Sequence, residues 1–350
     1  MPSPRPRRIQ AVILFLIGLS ALGLAACGAS PTPTIAAASP TPASSHTAPP
    51  APTLTPTALP GRVLLVVPEG SAETAGGVLA REIQPILAGF AQDEGLELEV
   101  RTGQAAGELD PTIRIVVALA SDPGIAGLAG AAPDTRFIAV GIPGLQPSSN
   151  LFVIGNPDRQ AVQEAFLAGY IAALTAPEWR AGMLGQPSAP QGQAAQDAFL
   201  NGARYLCGLC NPKFPPYGGY PLAVELPGEG EEAAVQELIA KAVKTVYVFP
   251  PAATPQLLDQ LSQAGLQIVG SQAPAESLRP RWIASVRSDY AAGLKSAWPD
   301  VIAGKDGVET AAPLVVTDIQ ASALTPGRMR LVAEVIENLA GGWIQMDNPQ

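Results

Sequence analysis

The chain has 350 residues and a single histidine, His46. A Ser-His-Asp triad, a Cys-His pair and a His-rich metal site are all but excluded unless His46 itself takes part. Cysteine is nearly as scarce, with three in all, and aromatic residues make up only 5%. Charged residues are 15% of the chain, and 21 Lys+Arg against 30 Asp+Glu give a net charge of −9. A nucleic-acid-binding chain shows a basic excess, so that class of partner is not expected. What the chain has instead is small and apolar: 47% hydrophobic residues, 35 Gly and 37 Pro. The length suits one large or two ordinary domains with a sizeable core.

The first sixty residues read as an address followed by a tether. Arg5, Arg7 and Arg8 form a basic start without acids, and residues 11–24 are apolar and uncharged. A run of 14 is short for a bilayer-spanning helix, which needs about 20. It leads into Leu24-Ala25-Ala26-Cys27-Gly28, which looks like a bacterial lipobox: residues 1–26 are the signal peptide and Cys27 carries the lipid. An uncleaved anchor, or an ordinary signal with a chance Cys, is the alternative, and either one faces the protein outward. Residues 28–60 hold nine prolines among Ala, Thr and Ser, with no Asp, Glu, Lys or Arg. Such a composition buries no core and favours extended, polyproline-like chain. At about 3.1 Å per residue it reaches up to roughly 100 Å. Residues 27–60 are thus expected to lift a soluble body, 61–350, off an extracytoplasmic membrane surface.

From Gly61 the pattern changes. Residues 62–67 (RVLLVV) form a short apolar run of the kind buried on both faces of a sheet. Similar runs recur at 96–101, 113–119, 136–140, 151–154, 180–184, 222–226, 245–249, 266–269, 282–286 and 313–316. Helical stretches are predicted at 72–92, where Pro85 should kink or divide the helix, and at 159–174, 193–205, 231–242, 255–264, 290–302 and 326–339. Continuous apolar strands separated by helices predict an α/β fold of doubly wound parallel sheets. At this size two lobes are expected, with a ligand cleft outside the carboxyl ends of the strands. The loops there are small, polar and proline-rich. They offer hydrogen bonds but no convergent acids, bases and nucleophiles, which points to binding without catalysis, metal or cofactor.

Several blocks carry a family resemblance. Pro133-Asp134-Thr135-Arg136-Phe137-Ile138-Ala139-Val140 is followed by Phe166-Leu167-Ala168-Gly169-Tyr170-Ile171-Ala172-Ala173-Leu174. Next come Ala181-Gly182-Met183-Leu184-Gly185 and Phe199-Leu200-Asn201-Gly202-Ala203-Arg204-Tyr205, and later the loop 270–280 with Leu278 and Pro280 in register. Together they resemble the basic membrane protein, or PnrA-like, family of lipoproteins, over residues 113–304. The resemblance implies a type I periplasmic-binding-protein fold, an ABC permease as partner and a small-molecule ligand, typically a purine nucleoside. It also suggests lobe I at about 61–175 plus 283–350 and lobe II at about 176–282.

Carried over residue by residue, the family's acid after the third strand falls on Asp122, beside Ser121. Its Asp and Ser-Phe-Asn after the first strand meet Pro68-Glu69-Gly70-Ser71-Ala72, with no aromatic before Phe90. Its late Gly-x-Asp-x-Asp-Gln meets Gly270-Ser271-Gln272-Ala273-Pro274-Ala275, so an amide stands where an acid would accept ribose hydroxyls. Its Lys after the next strand has Arg287 and Ser288 nearest. The candidate ligand contacts are Asp122, Gln272, Glu69, Ser71, Ser121 and Phe249. Each has a plainer reading beside it: Asp122 as a helix cap or turn former, Gln272 and Glu69 as solvated side chains, and Phe249 as core.

Cys207-Gly208-Leu209-Cys210 lacks the two further ligands zinc would need. It follows a helix, whereas thioredoxin-like pairs open one. In an oxidising compartment a structural disulfide between Cys207 and Cys210 is the expected state. The Pro- and Gly-rich stretch after it, with Phe214, Tyr217 and Tyr220, reads as a stiff connector rather than an aromatic surface patch. The expected function is solute capture for an importer. A ligand-sensing or adaptor lipoprotein is the alternative. A carboxylate-based hydrolase would need a pair of acids that no motif nominates.

Overall fold

A computed structural model describes residues 61–70, 75–103, 109–206, 219–226 and 230–346. In chain order the first part comprises β1 (Arg62–Val67), α1 (Ala75–Asp93), β2 (Glu97–Thr102), β3 (Ile113–Leu119), α2 (Ile125–Ala131), β4 (Arg136–Val140) and β5 (Leu151–Ile154). The second comprises α3 (Pro157–Thr175), β6 (Ala181–Gly185), α4 (Gly192–Tyr205), β7 (Leu222–Glu225), α5 (Glu231–Ala240), β8 (Thr245–Val248), α6 (Pro255–Gln263), β9 (Gln267–Gly270) and β10 (Trp282–Ser288). The chain then returns through α7 (Tyr290–Ile302), β11 (Glu309–Thr310), β12 (Leu314–Thr317) and α8 (Pro326–Ala340).

The strands form two six-stranded sheets, ordered β11-β5-β4-β3-β1-β2 and β12-β10-β9-β8-β6-β7. All pairings are parallel except β10 with β12. Alternation explains why each sheet is covered on both faces. In β1, Val63 and Leu65 pack with α1 and α7, while Leu64 and Val66 join the cluster under α2. In the second sheet, Tyr247 faces α3, α4 and α8, whereas Val246 and Val248 face α5 and α6. A strand buried on both sides gains from apolar residues at every position, which is the pattern that made these strands readable.

Sheet membership corrects the expected lobe boundaries. β10 and β12 belong to the second sheet, and α3 and α8 pack against that sheet. The chain therefore crosses between lobes three times: between β5 and α3, between β10 and α7, and between β11 and β12. The first crossing is abrupt because Asn156 already caps α3, accepting from the Arg159 N–H at 3.2 Å. Gly155 is fixed there: its φ is +71°, and a Cβ would lie 2.7 Å from the Tyr290 ring. Helix α1 runs on past the exposed Pro85 and is not divided there. Two elements escaped the sequence reading, the seven-residue α2 and the two-residue β11.

Helices α3 and α4 touch backbone to backbone through a reciprocal pair of glycines. A Cβ on Gly169 would lie 2.1 Å from the Phe199 carbonyl oxygen, and one on Gly202 would lie 1.9 Å from that of Phe166. The two Phe-x-x-Gly segments behind the family resemblance are thus a packing device: each phenylalanine's carbonyl occupies the space left by the other helix's glycine. Phe199 in turn stacks on Tyr247, with ring centroids 5.9 Å apart. Among the described residues no helix is long and apolar enough to cross a membrane.

Candidate functional site

The strand orders place the switch points beside β1 and β3 in one lobe and beside β6 and β8 in the other, where open α/β sheets bind ligands. At the carboxyl ends of β8 and β9 lies a cavity of about 650 Å³, within the usual range for small-molecule sites of about 300–1,000 Å³. The second lobe supplies most of its wall: Pro250 and Pro251, the first turns of α6, and the segment from Gly270 to Leu278, with Trp282 beneath. Val78 and Arg81 on α1 contribute from the first lobe. Helical geometry accounts for that contribution. Leu79, Ile83 and Leu87 form the buried stripe of α1, so Val78 and Arg81, three apart, share a different face.

The loop after β9 is held by a small polar hub. Gly270 sits on the Trp282 indole so closely that a Cβ would come within 2.2 Å of it. Trp282 Nε1 donates to Ser285 Oγ at 3.0 Å, and that hydroxyl lies 2.8 Å from both the Gln272 carbonyl and the Asp318 carboxylate. Thr317 donates to the same Asp318 oxygen at 3.0 Å. On the other side, Thr254 caps α6 by accepting from the Leu257 N–H, and donates to Glu231. The cavity walls are therefore held in place by the protein's own hydrogen bonds.

Among the described residues the lining has one cation, Arg81, one anion, Asp259, and three neutral hydrogen-bonding side chains, Ser271, Gln272 and Ser277. Neither Arg81 nor Asp259 has an ion-pair or hydrogen-bonding partner among the described residues.

A second polar cluster lies where the chain crosses between lobes. Glu164 on α3 accepts from the Ser288 N–H at 2.8 Å and from its hydroxyl at 2.7 Å. Burial raises the Glu164 pKa from 4.5 to about 7, against the opposing pull of the Ser288 hydrogen bonds and Arg287. Burial and the neighbouring Glu164 also push the Tyr247 and Tyr290 hydroxyls up. Tyr290 donates to Gln160 at 2.6 Å. Arg287 on β10 reaches across to α1, its Nη1 3.0 Å from both carboxylate oxygens of Glu82. This ion pair ties the second sheet to the helix that roofs the cavity.

The predicted site residues divide sharply. Gln272 lines the cavity, with Ser271 beside it. Asp122 closes the turn into α2: its Oδ1 accepts from the N–H groups of Gly124 at 2.9 Å and Ile125 at 2.8 Å. Ser121 and Glu69 are exposed and do not line the cavity, and Glu69 lies over Gly103 at the outer side of β1. Phe249 does not line the cavity; it is 2% exposed and belongs to the core under α3. Ser71, Cys27, Cys207 and Cys210 lie outside the described residues. Tyr220 packs at the edge of the second lobe's core, its hydroxyl donating to the Lys241 carbonyl.

Sequence reasoning missed Trp282, Ser285, Arg81 and Asp259. Trp282 opens an apolar strand and reads as core. Arg81 was findable only by asking which face of α1 its buried stripe leaves free.

No protein-family model and no curated protein matches the chain. Solved structures do. A transcriptional activator of the comK gene from Bacillus halodurans is 12% identical over 83% of this chain and 99% of its own, with a TM-score of 0.58. An ABC transporter solute-binding protein from Aeropyrum pernix K1 is 15% identical over 82% and 88%, with a TM-score of 0.52. A LacI transcriptional regulator from a Rhodococcus species is 13% identical over 73% and 96%, at 0.46. Two mostly parallel sheets of one strand order, crossed three times by the chain, make this a type I periplasmic-binding-protein fold.

Proposed function

We propose that this chain is an extracytoplasmic solute-binding protein, tethered by a lipid on Cys27 and delivering a small ligand to an ABC permease. The observation that carries the reading is the cavity of about 650 Å³ at the carboxyl ends of β8 and β9, walled by the second lobe and roofed by α1 of the first. A ligand held between two such walls is gripped when the lobes pivot about their crossings, so binding and closure are one event. The Glu82–Arg287 pair favours the approach of α1 to the second sheet. The ordered blocks that resemble the basic membrane protein family support a distant kinship with it. Its nucleoside is a poor match, since Gln272 and Pro274 stand where that family has acids and the lining ring, Trp282, is buried beneath Gly270.

Thermal unfolding of the full-length protein in detergent tests the reading against nucleosides, bases, sugars and amino acids. A ligand that binds only the folded state raises the midpoint at saturating concentration. At least one class should do so, and silence across the panel would contradict the proposal. The same changes in the late loop also suit a ligand-sensing or adaptor lipoprotein. Uptake of the stabilising solute by cells with and without the chain separates the two, because only a transport component changes uptake.

A further inference from the structure

The charges in the cavity carry the solute reading one step further. Arg81 comes from the first lobe and Asp259 from α6 of the second. Among the described residues neither is paired, and no other charged side chain lines the space. The same lining holds Pro250, Pro251, Leu258 and Leu278, an apolar wall with only three neutral polar side chains among the described residues. Closure around a ligand strips water from both charges. A charge buried without a partner is costly. A zwitterionic ligand compensates both at once, a singly charged one only one of them, and a neutral one neither.

We infer that the cavity takes a zwitterionic α-amino acid with an apolar side chain. Its carboxylate meets the Arg81 guanidinium and its ammonium meets the Asp259 carboxylate, while the side chain lies on Pro250, Pro251 and Leu258. Because the two partners sit on different lobes, the ligand's own dipole draws the lobes together. Arg suits the first role because its planar fork matches a carboxylate with two parallel hydrogen bonds. The inference rests on the solute-binding reading above.

Calorimetric titration of the full-length protein with L-phenylalanine, L-leucine, 3-phenylpropionate, phenethylamine, a purine nucleoside and a neutral sugar provides the test. The amino acids should bind, with 3-phenylpropionate and phenethylamine each weaker than phenylalanine by roughly tenfold or more, the scale of a lost charged hydrogen bond. Arg81→Gln should weaken phenylalanine and leave phenethylamine unchanged. Asp259→Asn should weaken phenylalanine and leave 3-phenylpropionate unchanged. Both side chains are exposed and unpartnered among the described residues, so the variants should unfold at the wild-type temperature without ligand. Amino-acid affinity untouched by either substitution would overturn the inference. Binding of the nucleoside or sugar alone would overturn it while leaving the solute-binding reading standing, and binding of nothing would overturn both.

Discussion

In the first lobe the order β2-β1-β3-β4-β5 ends in the parallel β11; in the second, β7-β6-β8-β9-β10 ends in the antiparallel β12. The two lobes thus present equivalent rows of strand ends, yet they use them differently. After β3, the first lobe commits the Asp122 carboxylate to its own backbone, closing a tight turn into α2. After β9, the second lobe leaves the Ser271 and Gln272 side chains without a hydrogen-bonding partner among the described residues and fixes the backbone from below, through Trp282, Ser285 and Asp318. The contrast teaches that a polar residue at a strand's carboxyl end is available to a ligand only where neighbouring N–H groups do not claim it first.

The lobes also differ in what a methyl group would meet. Gly202→Leu should be the most damaging change, costing about 3 kcal/mol as α4 is forced off α3. In the first lobe, a Cβ added at Gly89 on α1 would meet nothing within 4 Å, so Gly89→Ala should stabilise by about 0.5–1 kcal/mol. Urea unfolding of the two variants checks both signs.

Next comes Glu164, which belongs to the crossings. Its folded pKa of about 7 exceeds the ordinary 4.5, so the folded protein holds a proton that the unfolded chain releases between those values. Its contribution is full below about pH 4.5 and is lost as pH rises through about 7, by at most about 3 kcal/mol. Glu164→Gln should flatten that part of the stability profile, and should gain on the wild type between pH 5 and pH 8. Denaturant midpoints at the two pH values give the answer, and a variant that tracks the wild type would refute it.

Ser285→Ala should cost about 1–3 kcal/mol, because it strands the buried Trp282 N–H. It should also weaken whichever solute stabilises the wild type. Asp122→Ala should show the smallest effect, about 1 kcal/mol through the lost turn hydrogen bonds, with ligand affinity unchanged. Loss of affinity without loss of stability at Asp122 would reverse the contrast between the lobes.

Much of the fold was legible because buried strands such as β1 and β3 are apolar at every position, and because α1 and α4 show clear stripes. The lobe boundaries were not. Alternating strands and helices look the same whether a helix packs on the sheet behind it or ahead of it, and α3 packs ahead. Helix α2 was lost because Ile125-Ala126-Gly127-Leu128-Ala129-Gly130-Ala131 has neither the length nor the periodicity of a helix. At the site, the family comparison found Gln272 and its loop. It could not show that Asp122 closes a turn or that Phe249 is buried in the core, since both depend on a local backbone path that composition does not specify. Arg81 and Asp259 lie on separate lobes, and only the folded chain brings them to one cavity.

Hydrogen–deuterium exchange of the full-length protein, with and without its most stabilising solute, tests the central claim most directly. The account predicts slowed exchange in two separate stretches at once, residues 76–82 of α1 and residues 270–278 after β9. Protection confined to the Ser121–Asp122 turn, or absent from α1, would place the ligand elsewhere and contradict it.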